Sequence, residues 1–341
     1  MTLITAKLNK LHLKKIHSAV KIQYKILLLL TIAFIVTGLS TCFQTPPPIR
    51  YIDRQDGKLK TEQVVAGTAL YWLYTNPVGK LGLWAFVKRK AVSEIYGRLM
   101  DMPWTTRKID PFVKKYHIHL NEYQKQHFHS FNDFFTRKLK PGARTIDTNR
   151  LVVVSPGDGK MLAYANIDNQ DFIVKGARFQ VKSFLQNDSL ANLYRGGSLI
   201  ILRLCPTDYH RYHFPVGGKV SATRKIEGDY YSVSPLAIKK RIEIFCENKR
   251  QYDIISTHYF GPVLMAEVGA TMVGSMVETF SPASPVRKGT EKGYFKFGGS
   301  TVLLLFEQGA IAIDSDLLKN TQNHLETQVK MGEHIAIKTE Q

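Results

Sequence analysis

The sequence predicts an α+β protein: a β-rich catalytic core preceded by an N-terminal helical, membrane-associating region. Three observations carry that expectation. The first fifty residues are basic and then apolar, with no acidic residue before Asp53. From about Thr61 to Lys140 apolar residues recur at helical spacing, as Ala66, Leu70, Leu73 and Tyr74 do. After Arg150, short β-branched and aliphatic runs alternate with turns rich in Gly and Pro. The chain therefore divides into 1–50, a basic anchor or signal segment; 51–150, a helical membrane-associating region; and 151–341, a β-rich catalytic domain.

Composition narrows the partners. With 341 residues, 44% of them hydrophobic, the chain can bury a sizeable core. Its 47 Lys and Arg against 28 Asp and Glu give a net charge of +19, which suits an anionic partner. The sequence holds no known nucleic-acid motif and no Arg-rich tract, so nucleic acid is not expected and an acidic membrane is preferred. Cys42, Cys205 and Cys246 are odd in number and widely spaced. That pattern argues against a disulfide framework and against a zinc site, and no metal is expected.

Lys7, Lys10, Lys14, Lys15, Lys21 and Lys25 precede the uncharged run Ile26 to Phe43. As a helix that run is about 27 Å long, just enough to cross a bilayer core. A single membrane anchor is the first reading. A cleaved or lipoprotein signal is the second, because Leu39-Ser40-Thr41-Cys42 loosely resembles a lipidation box. A buried helix is the third. The Lys excess predicts a cytoplasmic N-terminus and association with the cell's inner membrane, on a face the sequence leaves open. Pro46-Pro47-Pro48 ends any helix. Further on, "LGLWAFV" (Leu81 to Val87) runs into Lys88, Arg89 and Lys90. It is either a helix packed on its own core or one lying on an anionic membrane. "SFNDFFTRKLKPGAR" closes this region with a Pro-Gly turn.

In the β half the strand candidates are "LVVVS", "SLIILRL", "GKVSATRKI", "RIEIFCE", "YDIIS", "VLMAEVGATMVGSMV", "TVLLLFE" and "GAIAI", which suit an antiparallel or mixed sheet. Three polar groupings interrupt them. Asp158 sits in a Pro-Gly-Asp-Gly turn, where Asp is usually structural. "LCPTDYHRYHFP" brings Asp208, Tyr209, His210, Tyr212 and His213 to a strand end. "KFGGST" sets two glycines and two hydroxyls at the mouth of an apolar strand. On chemistry alone Asp158, His213 and Ser300 form an acid–base–nucleophile set. A membrane-anchored serine hydrolase using them is one reading, although the G-x-S-x-G elbow is absent. A lipid-anchored β-rich binding protein is the non-enzymatic one.

Four segments in order, "SFNDFFTRKLKPGAR", "SPGDG", "DYHRYHFP" and "KGYFKFGGSTVLLLFE", resemble the phosphatidylserine decarboxylases over roughly residues 49–341. That family is pyruvoyl-dependent and self-cleaving. The resemblance implies cleavage between Gly299 and Ser300 into a β chain, 1–299, and an α chain, 300–341, held as a heterodimer, with a homodimer of these as a further assembly. It implies Ser300 as attacking hydroxyl and precursor of the pyruvoyl group, His213 as base oriented by Asp158, and His210 as the residue that places the substrate carboxylate or handles the proton. It implies a Schiff base to phosphatidylserine, loss of carbon dioxide and release of phosphatidylethanolamine, at the surface of an anionic membrane.

Overall fold

A computed structural model describes residues 45–168, 179–241, 243–271 and 275–340. The apolar run Ile26 to Phe43 lies outside them. Every residue of "STVLLLF" is buried in the strand Ser300–Phe306. A strand apolar on both faces must be covered on both, and its side chains divide by alternation. Leu303 and Leu305 enter one core with Leu199, Ile201, Leu264 and Ala266. Val302 and Leu304 enter a second with Ile200, Leu202 and Met265. Ser300–Phe306 lies antiparallel between Ser198–Leu204 and Pro262–Gly269. These three strands are the centre of an eleven-stranded sheet.

The sheet is mixed rather than purely antiparallel. Arg50–Asp53 runs parallel to Glu326–Val329, and Leu59–Thr61 adds to its other edge. The region from 51 onward thus begins as sheet and turns helical only at Gly67. "RIEIFCE" also departs from expectation, forming the short helix Ile244–Glu247. Ile244 and Phe245, adjacent in sequence, are both buried, which a strand with one covered face does not permit. "GKVSATRKI" splits into Gly218–Val220 and Arg224–Ile226, both paired with Arg250–Ser256.

A smaller sheet, in the order Met276–Glu278, Glu291–Phe295, Arg211–His213, carries the histidine segment. The helices from Lys90–Met100 to Phe131–Phe135 make a third core around Met100, Ile109, Phe131, Phe134 and Phe135, whereas Gly67–Thr75 packs Tyr74 into the first. "LWAFV" (Leu83–Val87) is a π-helical turn in which Leu83 is buried while Trp84 and Phe86 are 59% and 67% exposed. Among the described residues no helix is long and apolar enough to cross a membrane.

Candidate active site

The chain on either side of the Gly299–Ser300 bond is fixed by different neighbours. Downstream, Ser300 opens its strand opposite Leu204 and Gly269. It is fully buried, and its Oγ has no hydrogen-bond partner. Upstream, the Phe297 ring lies 5.0 Å from Phe135, 5.1 Å from Phe131 and 5.6 Å from Tyr96. The Phe297 N–H donates to Asn132 Oδ1 at 3.0 Å. Asn132 Nδ2 donates in turn to the Gly97 carbonyl and to Asp101 Oδ1. Lys296 pairs with Asp101 at 3.2 Å. Asn132 is held by the helix Phe131–Phe135, whose Ser130 cap accepts the Asp133 N–H. Between these anchors Gly298 has φ +138°, a conformation that L side chains rarely adopt.

Alternation sorts the histidine segment into two faces. Tyr212 enters the second core, against Phe295 at 4.8 Å. His210 shares that inward side and lies 3.9 Å, ring to ring, from Phe135. Its Nδ1 is 3.0 Å from the Asp208 carbonyl, an acceptor, so Nδ1 carries the proton. Nε2 therefore holds the lone pair; it is buried without a well-formed hydrogen bond, and the Gly298 backbone adjoins the ring. Burial pushes the His210 pKa down to about 3.

His213 points the other way. Its Nδ1 donates to the Gly289 carbonyl at 3.0 Å, and its Nε2 accepts from the Tyr209 hydroxyl at 3.1 Å. Burial lowers its pKa, with the Gly289 carbonyl acting against that. Burial also raises the Tyr209 phenol, which stays protonated and donates. The Asp158 oxygens are taken by Arg144, at 2.6 Å to Nη2, and by the Met331 N–H at 2.8 Å. The planar guanidinium matches the carboxylate and binds it through Nε and Nη2. Arg144 also reaches Glu122 at 2.8 Å. His213 is thus oriented by Gly289 and Tyr209 rather than by Asp158, whose charge reaches it only through space. The structure brings His210 to the Gly298–Ser300 link and sets His213 and Asp158 in an adjoining group; the hydrogen-bonded chain Asp158–His213–Ser300 is not formed.

A cavity of about 150 Å³ opens beside the link, bounded by Phe297, Gly298, Gly299, Thr207, Ser232 and Ser234. Buried charges brace its wall. Arg203 binds Glu62 at 2.6 Å and Glu326 at 2.5 Å. Lys160 lies 3.7 Å from Asp208, whose carboxylate accepts the Cys205 N–H. The sequence pattern placed Tyr209 in a polar grouping without a partner, and did not single out Arg144, Asn132 or Arg203. Asn132 and Arg144 carry the clearest signal: each is a polar residue inside "SFNDFFTRKLKPGAR" that the local helix and turn do not need. Among the described residues, one acidic trio, Asp253, Glu267 and Glu278, is tight enough for a cation. The Lys292 ammonium already lies 2.5 Å from Asp253 and 2.8 Å from Glu267.

Comparison with known proteins adds to the geometry. The family described as phosphatidylserine decarboxylase matches residues 131–337. The phosphatidylserine decarboxylase proenzyme of Fusobacterium nucleatum is 52% identical over 288 residues, covering 84% of this chain and 96% of that one. The proenzyme of Ruminiclostridium cellulolyticum is 46% identical over 290 residues, 84% and 97% of the two chains. That of Desulfitobacterium hafniense is 45% identical over 293 residues, 85% and 98%.

The buried histidines make stability depend on pH. The unfolded chain binds a proton at His210 below its ordinary pKa of 6.5, whereas the folded chain refuses one until about 3. That contribution is therefore complete above 6.5 and lost as pH falls toward 3; between pH 6.5 and 5 it amounts to at most about 2 kcal/mol. Guanidinium unfolding of the wild type should show this loss, and His210→Asn should show a shallower one. Equal slopes for the two proteins would contradict the buried, neutral assignment.

Proposed function

The chain belongs to the phosphatidylserine decarboxylase family, and from that premise we propose which of its own residues carry the reaction. The enzyme converts phosphatidylserine to phosphatidylethanolamine and carbon dioxide with a pyruvoyl cofactor, and its proenzyme is processed into two chains. The residues present fit that cofactor. A buried hydroxyl with no partner stands directly after Gly298-Gly299, beside a cavity. That unpartnered Ser300 Oγ is the observation that carries the reading.

In the first stage Ser300 Oγ adds to the Gly299 carbonyl carbon. Its proton passes to a base, the 299–300 C–N bond breaks, and the acyl group ends on oxygen as an ester with a free amine at 300. A base then takes the Cα proton of 300 as the Cβ–O bond breaks, which releases the Gly299 carboxylate and leaves a dehydroalanine. Its imine tautomer takes up water and releases ammonia, giving the α chain 300–341 a ketone at its start. His213 is the base, with Asp158 adding negative charge nearby. What supports this is its tautomer: the lone pair is on Nε2, where it accepts from the Tyr209 hydroxyl. His210 serves the second stage. Its support is a free Nε2 against the Gly298 backbone and a pKa low enough to keep it neutral.

The pyruvoyl group that residue 300 would carry would supply a carbonyl for the substrate amine and an electron sink for the breaking C–C bond. The chain's own share is to exclude water, orient the serine headgroup and return a proton. The cavity lined by Thr207, Ser232 and Ser234 supplies hydroxyls to orient the headgroup, and the His210 Nε2 lone pair takes a proton from the substrate ammonium and returns it to carbon once carbon dioxide has left. The serine hydrolase alternative finds no support, because Ser300 is buried inside a strand and lacks an elbow.

The membrane reading of 51–150 rests on a surface. Leu81, Trp84, Phe86, Ile95, Leu99, Met102 and Trp104 are exposed. Arg89 covers the Trp84 ring at 5.3 Å, and Arg107 covers Trp104 at 5.1 Å. Aromatics rimmed by cations suit an acidic headgroup layer, with each basic residue worth about 1 kcal/mol there. This surface docks the enzyme onto anionic lipid without spanning it.

Ser300→Ala should remain one chain without activity, and His213→Ala should remain uncut. His210→Ala should be cut but decarboxylate poorly, as denaturing electrophoresis and a carbon dioxide assay would show. Normal processing of Ser300→Ala would refute the assignment, and full turnover by His210→Ala would remove that residue's role. Trp84→Glu/Phe86→Glu should weaken binding to acidic vesicles by about tenfold or more. Unchanged sedimentation with vesicles would dismiss the surface.

A further inference from the structure

A second and larger cavity, of about 320 Å³, lies outside the reaction site. Its wall is apolar, with Leu162, Tyr164 and Ile238 prominent. Its mouth carries Arg50, Lys239 and His324, all exposed. No ion pair joins any of the three to an acid among the described residues. The nearest carboxylate in the lining, Glu326, is held by Arg203. The cavity thus combines an apolar interior with uncompensated positive charge at its rim, and its size is within the range of small-molecule sites. A molecule that satisfies both parts has a hydrocarbon chain and an anionic head.

The cavity's place in the fold narrows this further. It is built from both prospective chains: 48–50 and 235–239 precede the cleavage point, and 321–326 follow it. The short helix Pro235–Ile238 forms the partition between the two cavities. Ser234 lines the reaction cavity, whereas Pro235 and Ile238 line this one. That helix packs against Gly67–Thr75, the first helix of the region bearing the exposed aromatics. A ligand drawn from a lipid surface is therefore the occupant that both the chemistry and the position favour.

We propose that this cavity is a second lipid site, taking an acidic phospholipid distinct from the molecule undergoing reaction. Its acyl chain lies against Leu162, Tyr164 and Ile238, and its phosphate meets Arg50 and Lys239. An occupant resting on Ile238 bears on the partition of the reaction cavity and bridges the two chains after cleavage, so membrane acidity acts on the enzyme at a point other than its substrate.

The test uses the full-length processed enzyme on phosphatidylcholine vesicles containing phosphatidylglycerol with a photoactivatable acyl chain. Phosphatidylglycerol has no amine and cannot react. Cross-linked peptides should include 235–241 and 318–326 as well as the exposed 81–104 surface. Arg50→Glu/Lys239→Glu should lose labelling of the first two by about tenfold or more while labelling at 81–104 persists. Turnover in neutral detergent micelles should not change. Labelling confined to 81–104 in the wild type, or equal labelling of 235–241 in both proteins, would overturn the proposal. The label reports binding without turnover, so failure of the reaction assignment would leave this result readable.

Discussion

Two residues, Gly298 and Gly299, connect a side chain locked into one part of the molecule to a strand locked into another. On one side Phe297 is wedged among Phe131, Phe135 and Tyr96, with its N–H on Asn132. On the other, Ser300 is paired on both edges within the central sheet. Neither end yields easily, because one is set by aromatic packing and the other by a ladder with an apolar core on each face. The chain between them must turn at Gly298 with φ +138°. This explains why the helical region and the sheet belong to one functional unit: the helices hold the upstream half of the bond that the sheet presents.

The carboxylates around the link all have cationic partners. Asp158 and Glu122 share Arg144, Asp208 lies near Lys160, and Glu62 and Glu326 share Arg203. Both histidines are kept neutral by burial. A neutral imidazole has a lone pair to offer, and the carbonyl on each Nδ1 fixes that lone pair on Nε2. A carboxylate bonded directly to His213 would have favoured the charged ring. The Gly289 carbonyl orients the ring with less bias toward protonation, and Tyr209 keeps the basic nitrogen hydrogen-bonded. Ser300 Oγ, by contrast, is left without a partner, a cost that a group used once in chemistry can carry.

Much of this was legible in the residues. "SLIILRL" became the strand Ser198–Leu204 with the bounds its pattern suggested, and "TVLLLFE" became Ser300–Phe306, shifted by one residue, because unbroken β-branched and aliphatic residues leave few other ways to be buried. What could not be read was partnership across the fold. Arg144 was visible, yet its claim on Asp158 depends on a turn folding back across the sheet. Tyr209 lay beside His213, but a neighbour in sequence is not a hydrogen-bond partner until the backbone geometry decides it. Arg50–Asp53 joined the sheet because its partner, Glu326–Val329, comes from the far end of the chain. "RIEIFCE" misled because its alternation is shorter than the burial it has to satisfy.

The helical clamp on Phe297 is the most direct place to test the account, since Asn132 touches neither Ser300 nor either histidine by any hydrogen bond described above. Asn132→Ala removes the acceptor of the half-buried Phe297 N–H, at a cost of about 1 kcal/mol. In a pulse–chase measurement of proenzyme conversion, the account predicts cleavage slowed severalfold, with the folded sheet retained by circular dichroism. Conversion at the wild-type rate would show that the 299–300 bond does not depend on being held from both sides.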